Sequence, residues 1–436
     1  MSRTLWCEYA WLGGSVPERS VMIQIEDGRF TSVSPGVAAG GAERRSGLSL
    51  PGFANAHSHA FHRALRGRTH AERGDFWSWR EQMYRLAARL DPTAYFRLAR
   101  ATFSEMVMAG YTTVGEFHYL HHGPAGKPYS DPNEMGHTLI AAARDAGIRI
   151  TLLDTCYLHG GFDTQLDVVQ RRFGDGTVAG WFDRVSRIEA DEGARVGAAV
   201  HSVRACTEDE IATVASYATD MPLHAHVSEQ PKENEDCLDR YGATPTAVFA
   251  RSGALGRRFT AVHATHLTHA DRELLGGSTV CVCPTTERDL ADGVGDGRRL
   301  LDAGASLSLG SDSNAVIDAF EEARALELHA RLTTRERGRL ALVEQLSALT
   351  DHASIGWDDA GEIRPGRRAD LVTVAFDSVR LAGTSPEGML AAVVFAGSAA
   401  DVTTVTVDGV DRVTAGQYVA GDVAREFTEL VPRLFA

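Results

Sequence analysis

Lysine is almost missing from this chain. Lys127 and Lys232 stand alone, and arginine makes up the rest of the 44 basic residues. Positive charge is not in excess either, since the formal net charge is −14. Nucleic-acid binders show a basic stripe, so no nucleic-acid partner is expected. An anionic ligand is still allowed, because a few arginines inside a pocket can set the local potential against the global sign. No uninterrupted apolar run reaches the ~20 residues a membrane span needs, so no membrane partner is expected. The opening MSRTLWCEYAW has no basic segment followed by a long apolar run, so no signal peptide is expected. The six cysteines are scattered, with no CxxC pair and no dense framework. That usage predicts a reducing compartment, the cytoplasm. No Gly-rich phosphate loop and no internal sequence repeat are evident.

What is present suffices for a large core: 436 residues with 44% hydrophobic content. Residues 1–50 read as short strands with a turn at Asp27-Gly28. A regular alternation follows. LPGFANA, YTTVGEFHYL, IRITLLDTCYL, ARVGAAVHS, MPLHAHVSE, RFTAVHATH, STVCVCP and ASLSLGSDSN read as eight strands, several of them continuous apolar runs. Helices separate them, with starts predicted at Asp91-Pro92, Asp131-Pro132, Thr207 with Glu210, and Thr268, and ends at Gly110 and Gly147. Eight βα units predict an α/β fold, a (β/α)8 TIM barrel over 51–359. From Gly361 the short-strand pattern returns, so residues 1–50 and 360–436 are expected to form a small β-sandwich domain, closed by a helix in REFTELVPRLFA.

In such a barrel the chemistry lies at the C-terminal ends of the strands. Strand one ends in His57 and His59, whose spacing puts both imidazoles on one face. Strand four ends in His201 with Arg204 just beyond, strand five in His226 with Glu229, strand six in His263 and strand eight in Asp312. A single strand-end histidine is usually structural. Five of eight strands ending in His or Asp point to a metal-assisted site.

This pattern resembles the amidohydrolase superfamily over nearly the whole chain. HSHAFHRAL, DFWSWREQMYR, GEFHYLHH, VHSVRACT, HAHVSEQPKE, VHATH and GSDSN, in that order, further resemble the formimidoylglutamate deiminase family. The resemblance implies His57, His59, His226 and Asp312 as metal ligands. It also implies Glu229, His263 and Asp312 as catalytic groups, and His62, Arg80, Tyr119, His201 and Arg204 as substrate contacts. Binuclear relatives carry a bridging lysine near strand four. None lies between residues 128 and 231, which favours one divalent ion, zinc first and ferrous iron second. The implied reaction hydrolyses N-formimidoyl-L-glutamate to N-formyl-L-glutamate and ammonia in histidine degradation. Its substrate is a small dicarboxylate amidine, which Arg80 and Arg204 suit as bidentate partners. A homodimer is expected by analogy with barrels that pair through outer helices.

Three departures from the family pattern stand near the pocket: His62 for a frequent Gln, Asp289 for Asn and Asn314 for His. His224 is read as structural or as support for a ligand. His118, His121 and His122 are read as polar loop or support, since no carboxylate stands at ligand spacing in the sequence. Cys281 and Cys283 are read as buried apolar residues. The alternatives are a deaminase of the same metal type acting on another amidine, a guanidine or an aminated ring, and a non-catalytic relative that binds a metal or metabolite.

Overall fold

The computed structural model describes residues 2–70 and 76–436. Asp75, which opens the Trp-rich stretch, lies outside the described residues. Among the described residues there are sixteen strands: β1 (Ser2–Ala10), β2 (Glu18–Glu26), β3 (Arg29–Ser34), β4 (Glu43–Pro51), β5 (Phe53–Ser58), β6 (Tyr111–His118), β7 (Arg149–Cys156), β8 (Ala194–Val200), β9 (Leu223–Val227), β10 (Phe259–His263), β11 (Thr279–Val282), β12 (Ser306–Leu309), β13 (Leu371–Val374), β14 (Val402–Val407), β15 (Val410–Thr414) and β16 (Gln417–Tyr418).

Strands β5 to β12 are the eight read from the sequence. They pair in chain order, all parallel. Every residue of β6 and β7 is buried, as strands covered on both faces must be. The ring closes where the first and last strands meet. Asp312 N–H donates to the His57 carbonyl and His59 N–H to the Asp312 carbonyl, each at 2.9 Å. Gly310 permits this approach, since a Cβ there would stand 2.8 Å from His57 Cβ. The arrangement is a (β/α)8 barrel.

The remaining strands form one continuous sheet in the order β16-β15-β14-β13-β4-β1-β2-β3. It is antiparallel except for the β1–β4 pair. Strand β4 pairs with β13, so the two ends of the chain meet in its middle. Its own core joins Leu5, Val21, Ile23, Ile25 and Phe30 to Ile363 and Leu371. Barrel and sheet are tied by a buried ion pair. Arg149, at the start of β7, binds both oxygens of Asp370, one at 3.0 Å, and reaches Asp408 at 3.0 Å.

The helix signals hold closely. Asp91 caps α2 (Pro92–Met108), which follows α1 (Phe76–Ala87), through a bond from Ala94 N–H at 2.8 Å. Thr207 and Glu210 form the capping box, and Gly147 ends its helix at φ 74°. The helix expected at Asp131-Pro132 begins later, at Glu134, because Asp131 spends its carboxylate on the Asn133 N–H and on His137. The final helix, Val423–Phe435, lies along α2. Its Phe427 ring carries the guanidinium groups of Arg63 and Arg66, its Phe435 ring carries Arg68, and Arg100 pairs with Glu426. No helix among the described residues is long and apolar enough to cross a membrane.

Candidate metal centre and active site

The C-terminal ends of five barrel strands bring the expected groups together. Asp312 Oδ1 stands 3.4 Å from His57 Nε2 and 3.5 Å from His59 Nε2. His226 Nε2 stands 3.2 Å from His57 Nε2. These facing nitrogens have a reason to converge only if a cation or proton lies between them. Backbone carbonyls fix two of the rings. Nδ1 of His59 bonds Phe117 O at 2.9 Å and Nδ1 of His226 bonds His201 O at 3.0 Å, leaving each Nε2 lone pair aimed inward. Burial pushes His57, His59 and His226 below the ordinary imidazole value, so they are neutral donors. Burial pushes Asp312 up, but His57 beside it outweighs this and holds the carboxyl well below its usual range. Three neutral imidazoles and an ionised carboxylate are a donor set suited to a divalent metal. The geometry places His57, His59 and Asp312 in one ligand-competent triad, and His57, His226 and His263 in another.

His263 faces the same point. Its Nε2 lies 3.7 Å from Glu229 and 3.8 Å from Asp312, and its Nδ1 bonds Glu287 at 3.4 Å. Burial lowers its basicity, but the carboxylates of Glu229, Glu287 and Asp312 outweigh that and hold it well above the ordinary value. The backbone is left-handed at Ser228, His263, Asp312 and Asn314, around the centre. Such conformations in non-glycine residues concentrate at functional sites.

A cavity of ≈ 40 Å3 lies over this centre, lined by His59, His62, Tyr119, His226, Glu229, His263 and Asp312, with Trp79, Phe173 and Leu290 among its walls. Arg80, Tyr157, His201 and Arg204 line it too and also line an outer chamber of ≈ 560 Å3, so the two spaces share one throat. A larger cavity of ≈ 1180 Å3, lined by Trp11, Asp351 and His352 among others, contains none of these groups. Arg80 reaches Tyr157 Oη at 3.4 Å, and Gln170 bonds the hydroxyls of both Tyr157 and Tyr84. Arg204 faces Glu229 at 3.4 Å. That pairing, the tyrosines behind Arg80 and the support of His263 by Glu287 are not legible from any strand-end motif. They sit on a loop and on helices without a spacing rule.

The other expectations divide. His224 is structural, bonding Ser354 O at 2.9 Å away from the centre. Cys281 and Cys283 are buried beside Ile355 and Trp357. For His118, His121 and His122 one premise is corrected, because carboxylates are present in space: Asp154 lies 3.8 Å from His121 and Asp175 2.9 Å from His122. Arg184 already pairs with both carboxylates, so the cluster carries its own cation. Of the three departures, His62 lines the cavity and meets Tyr119 Oη at 3.0 Å. Asn314 spends its amide on Ser58, His59 and Asp312, bracing the seam, and Asp289 pairs with His70 at 2.6 Å.

The sequence profile of the amidohydrolase family matches residues 48–411. Formimidoylglutamate deiminase of Pseudomonas aeruginosa is 37% identical, with 95% of this chain and 96% of that protein covered. An 8-oxoguanine deaminase of the same organism is 27% identical over 94% of this chain and 92% of its own length. Among solved structures, an amidohydrolase from Brucella melitensis shares 34% identity at a TM-score of 0.88, with both chains fully covered. An adenosine deaminase from Xanthomonas campestris with bound zinc shares the fold at 22% identity and a TM-score of 0.83, over 99% of this chain and 98% of its own. Likeness that runs the length of both chains at these identities shows that the protein belongs to the amidohydrolase family.

Proposed function

We propose that the protein is a metal-dependent hydrolytic deaminase that converts N-formimidoyl-L-glutamate and water to N-formyl-L-glutamate and ammonia, a step of histidine degradation. The observation that carries this reading is the pair of guanidinium groups, Arg80 and Arg204, standing at the throat of the cavity that His59, His226 and Asp312 line. That arrangement suits a substrate with a small reactive amidine at one end and carboxylates at the other. The relationship to the Pseudomonas deiminase supports the same choice.

His57, His59, His226 and Asp312 would hold one ion, with zinc favoured by the donor set. When bound, that ion supplies an acidified water as nucleophile at neutral pH. The protein's own groups do the rest. Asp312, ionised, accepts the proton that the water gives up, and His263 Nε2 orients the attacking oxygen. Attack at the amidine carbon gives a tetrahedral adduct. Both protons of the water, taken up at Asp312 and delivered by Glu229 across the cavity, end on the terminal nitrogen; the C–N bond breaks, the adduct oxygen becomes the formyl carbonyl and ammonia leaves. Arg80 and Arg204 bind the carboxylates as charge-assisted pairs, with Tyr119, His201 and His62 completing the wall. Neither lysine can bridge a second ion: Lys127 is exposed, and Lys232 is exposed and pairs with Asp236.

The test is ammonia release, followed by coupled assay, from N-formimidoyl-L-glutamate, formimidoyl-aspartate and arginine-like guanidines. Turnover with a clear preference for the glutamate compound is expected. Protein with stoichiometric metal that releases no ammonia from it overturns the assignment.

A further inference from the structure

Glu233 stands in the first turn of the helix Pro231–Tyr241 and lines neither the inner cavity nor the outer chamber. Its side chain is 1% exposed. A carboxylate is seldom buried so fully without partners for its charge. Its polar neighbours, the main-chain groups of Ser228 and Glu229 and the guanidinium of Arg204, belong to the site. Its Oε2 accepts the N–H of Glu229 at 3.3 Å and lies 3.9 Å from Arg204 Nε. The other edge of Arg204 lies 3.4 Å from Glu229 Oε2, and the guanidinium rests over the Phe76 ring at 5.8 Å. One cation therefore sits between two carboxylates, of which only Glu229 faces the cavity.

This arrangement has a chemical consequence. If Glu229 were the only counter-charge, Arg204 would follow it, neutralise it and compete with an incoming carboxylate. A fixed carboxylate on the far side holds the guanidinium in place whether Glu229 is charged or protonated. The same oxygen anchors the main chain of Glu229, which leaves β9 through the left-handed Ser228 at φ 52°. We propose that Glu233 is a positioning residue that sets Arg204 for a substrate carboxylate and Glu229 for proton delivery. It rests on the reading of this cavity as a dicarboxylate pocket.

The test is a double-mutant cycle on metal-loaded protein with Glu233→Gln, Arg204→Met and both together. Glutamine keeps the size and an acceptor for the Glu229 N–H but carries no charge. We expect Glu233→Gln to lower kcat/KM for N-formimidoyl-L-glutamate about tenfold, with metal content and Tm retained, and to cost less than twofold once Arg204 is methionine. Wild-type kinetics in Glu233→Gln, or costs that multiply in the double variant, overturn the proposal. The same cycle is read in the calorimetric Kd for glutarate, a bare dicarboxylate. A wild-type protein that binds glutarate but leaves formimidoylglutamate intact overturns the assigned reaction and not the role of Glu233. One that binds no glutarate, or shows an additive cycle, overturns the role itself. Should Glu233→Gln fail to fold, Glu233→Asp, which keeps the charge one methylene short, enters the same cycle and is expected to lower kcat/KM only while Arg204 is present; equal costs in both backgrounds overturn the proposal.

Discussion

His57 and Asp312 meet twice. The Asp312 N–H donates to the His57 carbonyl at 2.9 Å, and their side chains approach to 3.4 Å. The first bond closes the barrel, and the second places a ligand-competent pair across the same seam. A metal bound there would bridge the first and last strands. Asp312→Ala should therefore lose bound metal and all measurable turnover. Chelation of the wild type should lower Tm, and zinc should restore it, since a ligand held at 100 times its Kd adds about 2.7 kcal/mol. Elemental analysis against differential scanning fluorimetry checks this, with one ion per chain expected. An unchanged Tm on chelation would detach the metal from the seam.

Glu229→Gln should keep the metal and the fold while kcat falls by about 10²- to 10⁴-fold, the range for loss of a positioned acid. Equal metal content with undiminished kcat would remove Glu229 from proton transfer.

Arg80→Met should lower kcat/KM for the dicarboxylate by about 10- to 100-fold, as expected for one hydrogen bond to a charged group worth roughly 1.5–3 kcal/mol. The loss should shrink for an amidine lacking carboxylates. Equal losses on both substrates would assign Arg80 to the fold.

His352, far from the metal ligands in sequence, is buried between Thr113 Oγ1 at 3.1 Å and Gly52 O at 2.9 Å. Burial, with Arg149 nearby, pushes it down to about 4. The folded state holds it neutral, and the unfolded chain protonates it near 6.5. Unfolding thus takes up a proton between about pH 6.5 and 4, and the His352 contribution is lost as pH falls through that window. The stability gap between wild type and His352→Gln, read from urea midpoints, should narrow from pH 7 to pH 4. A constant gap would contradict the burial argument.

Asp370→Ala should destabilise the protein by about 3 kcal/mol, because it leaves the Arg149 guanidinium buried with only the half-exposed Asp408 opposite. Denaturant unfolding at pH 7 measures this. A loss below ~1 kcal/mol would show that Asp408 compensates.

The strand-end residues were legible because a barrel gathers its strand ends whatever the connections do. His57, His226 and Asp312 needed only a strand count. Arg80 and Tyr119 needed family likeness, since neither helix nor loop spacing fixes where they point. Glu233 and Glu287 were out of reach of sequence reasoning, because each acts from behind a visible residue and looks in sequence like a helix-surface acid. His121 and Asp154 fail for the complementary reason: His121 follows β6 and Asp154 lies on β7, so their proximity exists only once the two strands pair.

The helix Val423–Phe435 comes after every other element in chain order, yet its phenylalanines seat Arg63, Arg66 and Arg68. Arg63 in turn donates to the carbonyls of Asn314 and Ala315, beside the last ligand. During synthesis, the eight barrel strands emerge from the ribosome long before that brace does. The segment just after Asp312 therefore leans, through Arg63, on a ring supplied by the helix made last among the described elements.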